Sequence, residues 1–247
     1  MTYSILARDP ATGALGAAVA SRFFAVGAMC IHVEGRVGAM SVQALTNPMY
    51  VRPAMDRLRA GDGPDAIVAD LLGPDPGRPK RQFHLLDRDG RSARHTGPEC
   101  GAWAGHLHGH VGGHDVSVAG NLLAGPGVVQ AMLDGFAQAA GSLAERLMSA
   151  LKAGEAGGGD KRGKQSAGIK VCVHDPYPDV DIRVDDSPDP LPELRRLYRV
   201  SQERFAIYRR HLPGALSPWG TLDRAVVEAD ILRDGKPAVS GDNGPRT

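Results

Sequence analysis

The chain predicts an α+β layered sandwich, two antiparallel sheets face to face with helices outside, on three observations. Strand and helix signals fall in segregated blocks and do not alternate as βαβ units would. The first strands carry small apolar residues on both faces, which suits strands packed between layers. No GxGxxG follows a strand and no GxxxxGK(S/T) occurs, so a nucleotide-binding design has no support, and no cofactor is expected.

Thr2 to Arg8 is extended, turns at Asp9-Pro10-Ala11-Thr12-Gly13 and returns through Leu15 to Ser21. Cys30 to Glu34 and Ala39 to Ala44, broken by Gly35 and Gly38, complete an opening meander of four strands. Pro53 to Ala60 and a segment opening at Pro64, with Ile67, Val68, Leu71 and Leu72 behind it, predict two short helices. Gln82 to Asp87 and Arg91 to Thr96 flank Arg88-Asp89-Gly90, a hairpin signal, and Asp115 to Ala119 is a further strand. Residues 126–153 predict two consecutive helices, the second opened by the capping box Ser142/Glu145 and stopped at Gly154. A Gly-rich loop, 155–168, leads into strands 169–174 and 180–184 and a last helix over 191–211. One domain is expected over 1–212, with 213–247 a loosely held tail.

With 29 Lys and Arg against 28 Asp and Glu and no basic stripe, neither a nucleic acid nor a membrane surface is an expected partner. Cys30, Cys100 and Cys172 are odd in number and lack CxxC spacing, and no signal-peptide pattern or apolar span occurs. A cytoplasmic address is expected. A homodimer is one use for the apolar face of the 126–140 helix; covering a sheet is the commoner one.

The chemistry concentrates at the N-terminus. Initiator methionines are usually trimmed before a small residue, and without Met1, Thr2 carries a hydroxyl nucleophile and an α-amine base on one residue. The amine titrates near ~7.7–8.0, so part of it is neutral at physiological pH. Ser21-Arg22 ends the strand across the expected hairpin, bringing Ser21 near Thr2. Gln43 and Asn47 place amides at a strand exit, although Asn47-Pro48 also suits a turn. His95 and Cys100 have the side chains of a nucleophile and base pair but only proximity in sequence to join them. His106, His108, His110 and His114 alternate as ligands on a strand would, yet the interleaved glycines read as a mobile loop, and no metal is expected. In the 155–166 loop, glycines expose backbone N–H groups, Arg162 offers a planar fork for a carboxylate, and Asp160, Gln165 and Ser166 adjoin the following strand.

The segments Thr2-Tyr3-Ser4-Ile5-Leu6-Ala7-Arg8-Asp9-Pro10, Ala18-Val19-Ala20-Ser21, Gln43-Ala44-Leu45 with Asn47-Pro48, His95-Thr96-Gly97 with Cys100 and Ala104-Gly105-His106, Gly120-Asn121, Gly158-Gly159-Asp160 with Arg162-Gly163 and Gln165-Ser166-Ala167, and Arg183-Val184-Asp185-Asp186 together resemble a bacterial family of unknown function placed in the N-terminal-nucleophile (Ntn) hydrolase superfamily. The resemblance covers residues 2 to about 200. It implies a four-layer αββα sandwich and carries the nucleophile role to Thr2, attacking an amide carbonyl in a small molecule or peptide. Ser21 would then orient the amine, and Asn121 or backbone N–H groups would hold the oxyanion. The substrate side is expected to draw on Arg22, Gln43, Asn47, His95, Cys100, His106, Asp160, Arg162, Gln165 and Ser166. The alternative is a non-catalytic binding module that keeps Met1 and holds an acidic metabolite or peptide on the 155–166 loop.

Overall fold

The computed structural model describes residues 2–235; Met1, whose removal the amine argument requires, and the last part of the expected tail lie outside the described residues. In chain order the elements are β1 (Thr2–Arg8), β2 (Leu15–Ser21), α1 (Val26–Met29), β3 (Ile31–Glu34), β4 (Gly38–Ala44), α2 (Val51–Ala60), α3 (Pro64–Leu72), β5 (Arg81–Asp87), β6 (Ser92–Thr96), β7 (Ala104–Val111), β8 (His114–Asn121), α4 (Gly127–Gln138), α5 (Leu143–Ala156), β9 (Ser166–Cys172), β10 (Val180–Val184), α6 (Pro190–Ser201), α7 (Phe205–Arg209) and α8 (Arg224–Asp234). The strands form two antiparallel sheets, one of six in the order β10-β9-β2-β1-β8-β7 and one of four in the order β3-β4-β5-β6. No helix among the described residues is long and apolar enough to cross a membrane.

β1 is thus central, held by β2 on one side and β8 on the other. Its alternate residues serve two layers. Leu6, with Leu15, Ala17 and Val19 of β2, meets Ile31, Val33, Ala39 and Leu86 of the other sheet in one apolar cluster. The opposite face receives α5, whose Leu147 lies so close to Gly16 that a Cβ there would sit 2.6 Å from its Cδ1. α2 and α3 cover the outer face of the four-stranded sheet, burying Met55, Leu58, Ile67 and Val68 against Met40, Val42, Phe83 and Leu85. Small residues in β1 and β2 are therefore required by layers that approach from both sides.

The opening strands do not form one meander. α1 intervenes after β2, and β3 and β4 join the second sheet. The histidine segment is not a loop either: His106, His108 and His110 lie on β7, and the left-handed Gly112 and Gly113 turn the chain into His114 and β8. β7 is an edge strand, which explains its polar, glycine-rich character. Gly154 does not stop α5, which runs to Ala156. A Cβ at Gly154 would meet Met132 Cγ at 2.6 Å, so the glycine serves the close packing of α5 on α4. The capping box is formed, with Ser142 Oγ accepting from the Glu145 N–H and Glu145 accepting from the Ser142 N–H, a cap that contributes about 1 kcal/mol.

The chain divides into two compact units, one up to Leu194 and one from Arg195 onward. In the second, the helix expected over 191–211 is interrupted between α6 and α7, and the segment after Pro213 contains α8, whose Val227 and Ile231 bury Ile207.

Near β9 the packing admits no side chain. A Cβ built on Gly168 would lie 2.7 Å from Gly27 Cα in α1. Because the obstacle is backbone, Gly168→Ala is expected to destabilise by about 1–3 kcal/mol, read as a lower urea midpoint. An unchanged midpoint would show that α1 is not pressed onto β9.

Candidate active site

Strand register assembles a polar row across one end of the six-stranded sheet. Ser166 faces Ser21, Ser21 faces Thr2, and Thr2 faces Asn121. Thr2 is 7% exposed, and its Oγ1 lies 3.2 Å from Ser21 Oγ. The hairpin turn at 9–13 sets the Thr2–Ser21 register. Asp9 Oδ1 accepts from the Ala11 N–H and Asp9 Oδ2 from the Thr12 hydroxyl, as aspartate does in a local turn.

Ser166 is wholly buried and acts on the chain beside the row. Its hydroxyl donates to the Phe23 carbonyl and accepts from the Val26 N–H at 3.1 Å. This holds the 22–26 turn, in which Ala25 is left-handed (φ 52°). The 155–166 loop is strapped alongside. Asp160 forms a β-bridge with Leu123, its Oδ2 accepts from the Arg22 N–H at 3.0 Å, and the Gln165 N–H donates to the Ser21 carbonyl at 3.0 Å. Left-handed Gly158 and Gly163 let the loop fold back; a Cβ on Gly158 would meet Ala124 Cβ at 2.6 Å.

Between loop, β1 and β2 lies a cavity of about 150 Å³ lined by Tyr3, Ser21, Glu155, Asp160, Lys164 and loop glycines. A space of that size takes a fragment comparable to a single ring. Burial, reinforced by the nearby Glu155 and Asp160 carboxylates, raises the Tyr3 phenol well above its usual range, so it stays protonated and able to donate. Lys164 is bound to Asp189 at 2.5 Å and Glu155 at 3.1 Å, and these partners, Asp189 first, raise its pKa. Arg162 is paired with Asp160 at 3.2 Å, and its carbonyl accepts from Arg22 Nη1 at 2.7 Å. The guanidinium that the sequence suggests for a substrate carboxylate thus already has an internal carboxylate partner.

The row and its loop bring together Thr2, Ser21, Arg22, Asn121, Asp160, Arg162, Gln165 and Ser166. The remaining expected residues stand elsewhere. Gln43 is buried between the sheets. Asn47 caps a 3₁₀ turn, its Oδ1 accepting from the Met49 N–H at 3.1 Å. His95 Nε2 donates to the Arg78 carbonyl and Cys100 Sγ to the Arg81 carbonyl, so each has its own partner, and burial pushes the Cys100 thiol up. His106 Nδ1 lies 2.9 Å from Thr96 Oγ1, and burial, followed by Arg94 and neighbouring histidines, lowers its pKa. Among the described residues no group of three or more His, Cys, Asp or Glu side chains is arranged to hold a metal.

The sequence reading missed a chain of buried polar groups linking this row to the other sheet. Asn121 Nδ2 donates to Gln82 Oε1 at 2.9 Å and Gln43 Nε2 to the same oxygen at 2.7 Å. Ser4 and Ser41 hydroxyls reach Gln43 Oε1 at 2.8 and 3.1 Å, while His84 lies between Ser4 at 2.8 Å and Ser117 at 3.0 Å. A signal was present: Gln82 and His84 alternate with Phe83 and Leu85 on a strand otherwise made for a core.

Fold and site define a two-sheet α+β protein with a polar row centred on its first strand. Residues 2–194 match a family described as a family of unknown function, DUF1028, and the chain belongs to that family. The crystal structure of the protein SPO2555 from Silicibacter pomeroyi, assigned to the same family, is similar at 30% identity with a TM-score of 0.83, covering 90% of this chain and 96% of that one. No curated relative matches the chain.

Proposed function

We propose that the protein is an amide hydrolase of the N-terminal-nucleophile type, with Thr2 as nucleophile once Met1 is removed. The observation that carries this reading is the Thr2 hydroxyl, 3.2 Å from Ser21 Oγ at the start of the central strand and facing Asn121. Thr2 Oγ1 would attack the amide carbonyl carbon while the Thr2 amine takes its proton. The amine would then protonate the leaving nitrogen, and water would release the acyl group from Thr2. Backbone N–H groups would hold the oxyanion, a contact worth ~3–4 kcal/mol for one donor, since the Asn121 NH₂ is already given to Gln82.

Three further features support the reading. Two stacked antiparallel sheets with helices packed on them accord with the αββα arrangement that the resemblance implies. The cavity adjoins Ser21. Ala44 at the end of β4, Leu122 directly after β8 and Ala25 before α1 adopt left-handed backbone (φ 66°, 55° and 52°), and strain of this kind gathers at functional sites.

Intact mass of untagged protein, followed by reaction with a β-lactone electrophile, tests the proposal. The expected result is a chain lacking Met1 that gains one label, mapped to Thr2. A chain that retains Met1 and takes no label would favour the binding module instead.

A further inference from the structure

We infer that Gln82 is a positioning residue that sets Asn121 with its carbonyl oxygen toward the Thr2 amine; this deepens the amide-hydrolase reading and rests on it. Gln82 is completely buried, and its orientation is unambiguous. Its Nε2 lies 2.8 Å from the Gly120 carbonyl, 3.1 Å from the Gly105 carbonyl and 3.0 Å from Thr96 Oγ1. Carbonyl oxygens only accept, so the NH₂ must face them and Oε1 must face the other way.

Everything beyond Gln82 follows from that choice. Its Oε1 can only accept, so both Gln43 and Asn121 must present NH₂ groups to it. Gln43 Oε1 then receives the Ser4 and Ser41 hydroxyl protons. Ser4, having given its proton, accepts from His84 Nε2–H, which leaves His84 Nδ1 to accept from Ser117. Two backbone carbonyls thereby dictate the donor and acceptor sense of a network spanning both sheets.

The consequence falls on Asn121. With its NH₂ held by Gln82, its Oδ1 is turned away from Gln82, on a side chain 1% exposed. A carbonyl oxygen on so enclosed a side chain is best matched by a donor. Asn121 lies directly across the strand pair from Thr2, whose α-amine, once Met1 is gone, is the donor at that end of β1. Asn121 therefore holds the base, and Gln82 keeps its amide from rotating.

The experiment compares wild type, Gln82→Met, Gln82→Glu and Ser41→Ala for β-lactone labelling rate and for the pH titration of the ¹⁵N-labelled Thr2 amine. Gln82→Met removes the acceptor and is expected to slow labelling roughly 100-fold, the scale of a misplaced reacting group, and to lower the amine's titration midpoint. Gln82→Glu, kept protonated by burial, retains a carbonyl for Asn121 and a hydroxyl for Gly120, and is expected to label near the wild-type rate. Ser41→Ala cuts the same network away from Asn121 and should lower stability only. Should Gln82→Met not fold, Asn121 side-chain amide exchange in the wild type decides, since a proton held on Gln82 exchanges slowly. Wild-type rate and titration in folded Gln82→Met, or fast Asn121 amide exchange, would overturn the inference while leaving Thr2 as nucleophile. Retention of Met1, seen by mass alone, would sink both together.

Discussion

Thr2→Ala is expected to abolish covalent labelling and to reduce amide hydrolysis on the order of 10⁶-fold, the loss seen when a covalent nucleophile is removed from a hydrolase. The α-amine survives the substitution, so the base remains with nothing to deprotonate. Stability should change little, but not by zero. Thr2 is buried, and its hydroxyl is bonded to Ser21. Losing that bond should cost about 1 kcal/mol, visible as a small drop in unfolding midpoint. Thr2→Ser, which keeps the oxygen, should retain a label. Hydrolysis undiminished in Thr2→Ala would transfer the chemistry away from β1.

The second large effect is acid sensitivity centred on His84. Burial drives its pKa down from 6.5 to about 3, with His106 and Arg94 acting in the same direction. The unfolded chain would bind a proton at its ordinary value, so between pH 6.5 and about 3 the unfolded state carries a proton that the native state refuses. Stability contributed by neutral His84 is therefore complete above pH 6.5 and declines as pH falls, by about 1.4 kcal/mol per pH unit across that window. His84→Gln keeps a donor for Ser4 and an acceptor for Ser117 without titrating. Urea midpoints at neutral pH and near pH 4.5 should converge in this variant and diverge in the wild type. Equal pH dependence in both would mean that His84 does not govern acid unfolding.

Local features were legible because their physics is local. The turn at Asp9–Gly13, the first-turn Pro64 and the Ser142/Glu145 box all act within a few residues, and each lies where the pattern places it. Thr2 facing Ser21 follows from the same hairpin logic. Asn121 facing Thr2 does not, because that pairing depends on which distant strand completes the sheet. Ser166 looked like a substrate contact by position but is spent on the 22–26 turn. β7 was misread because glycine and histidine on an edge strand carry the composition of a loop. The Gln82 network escaped because its members come from both sheets, and only the stacking of the layers brings them together.

The central position of β1 also orders events in time. β1 acquires its second neighbour only when β8 has been made, and closing so long a loop is slow. Until then Thr2 sits on an open hairpin edge, accessible to whatever trims the chain. Once β8 docks, the same residue is enclosed. On the proposed reading of Thr2 as nucleophile, the interval before β8 docks is the one in which that end of β1 is least covered by its sheet.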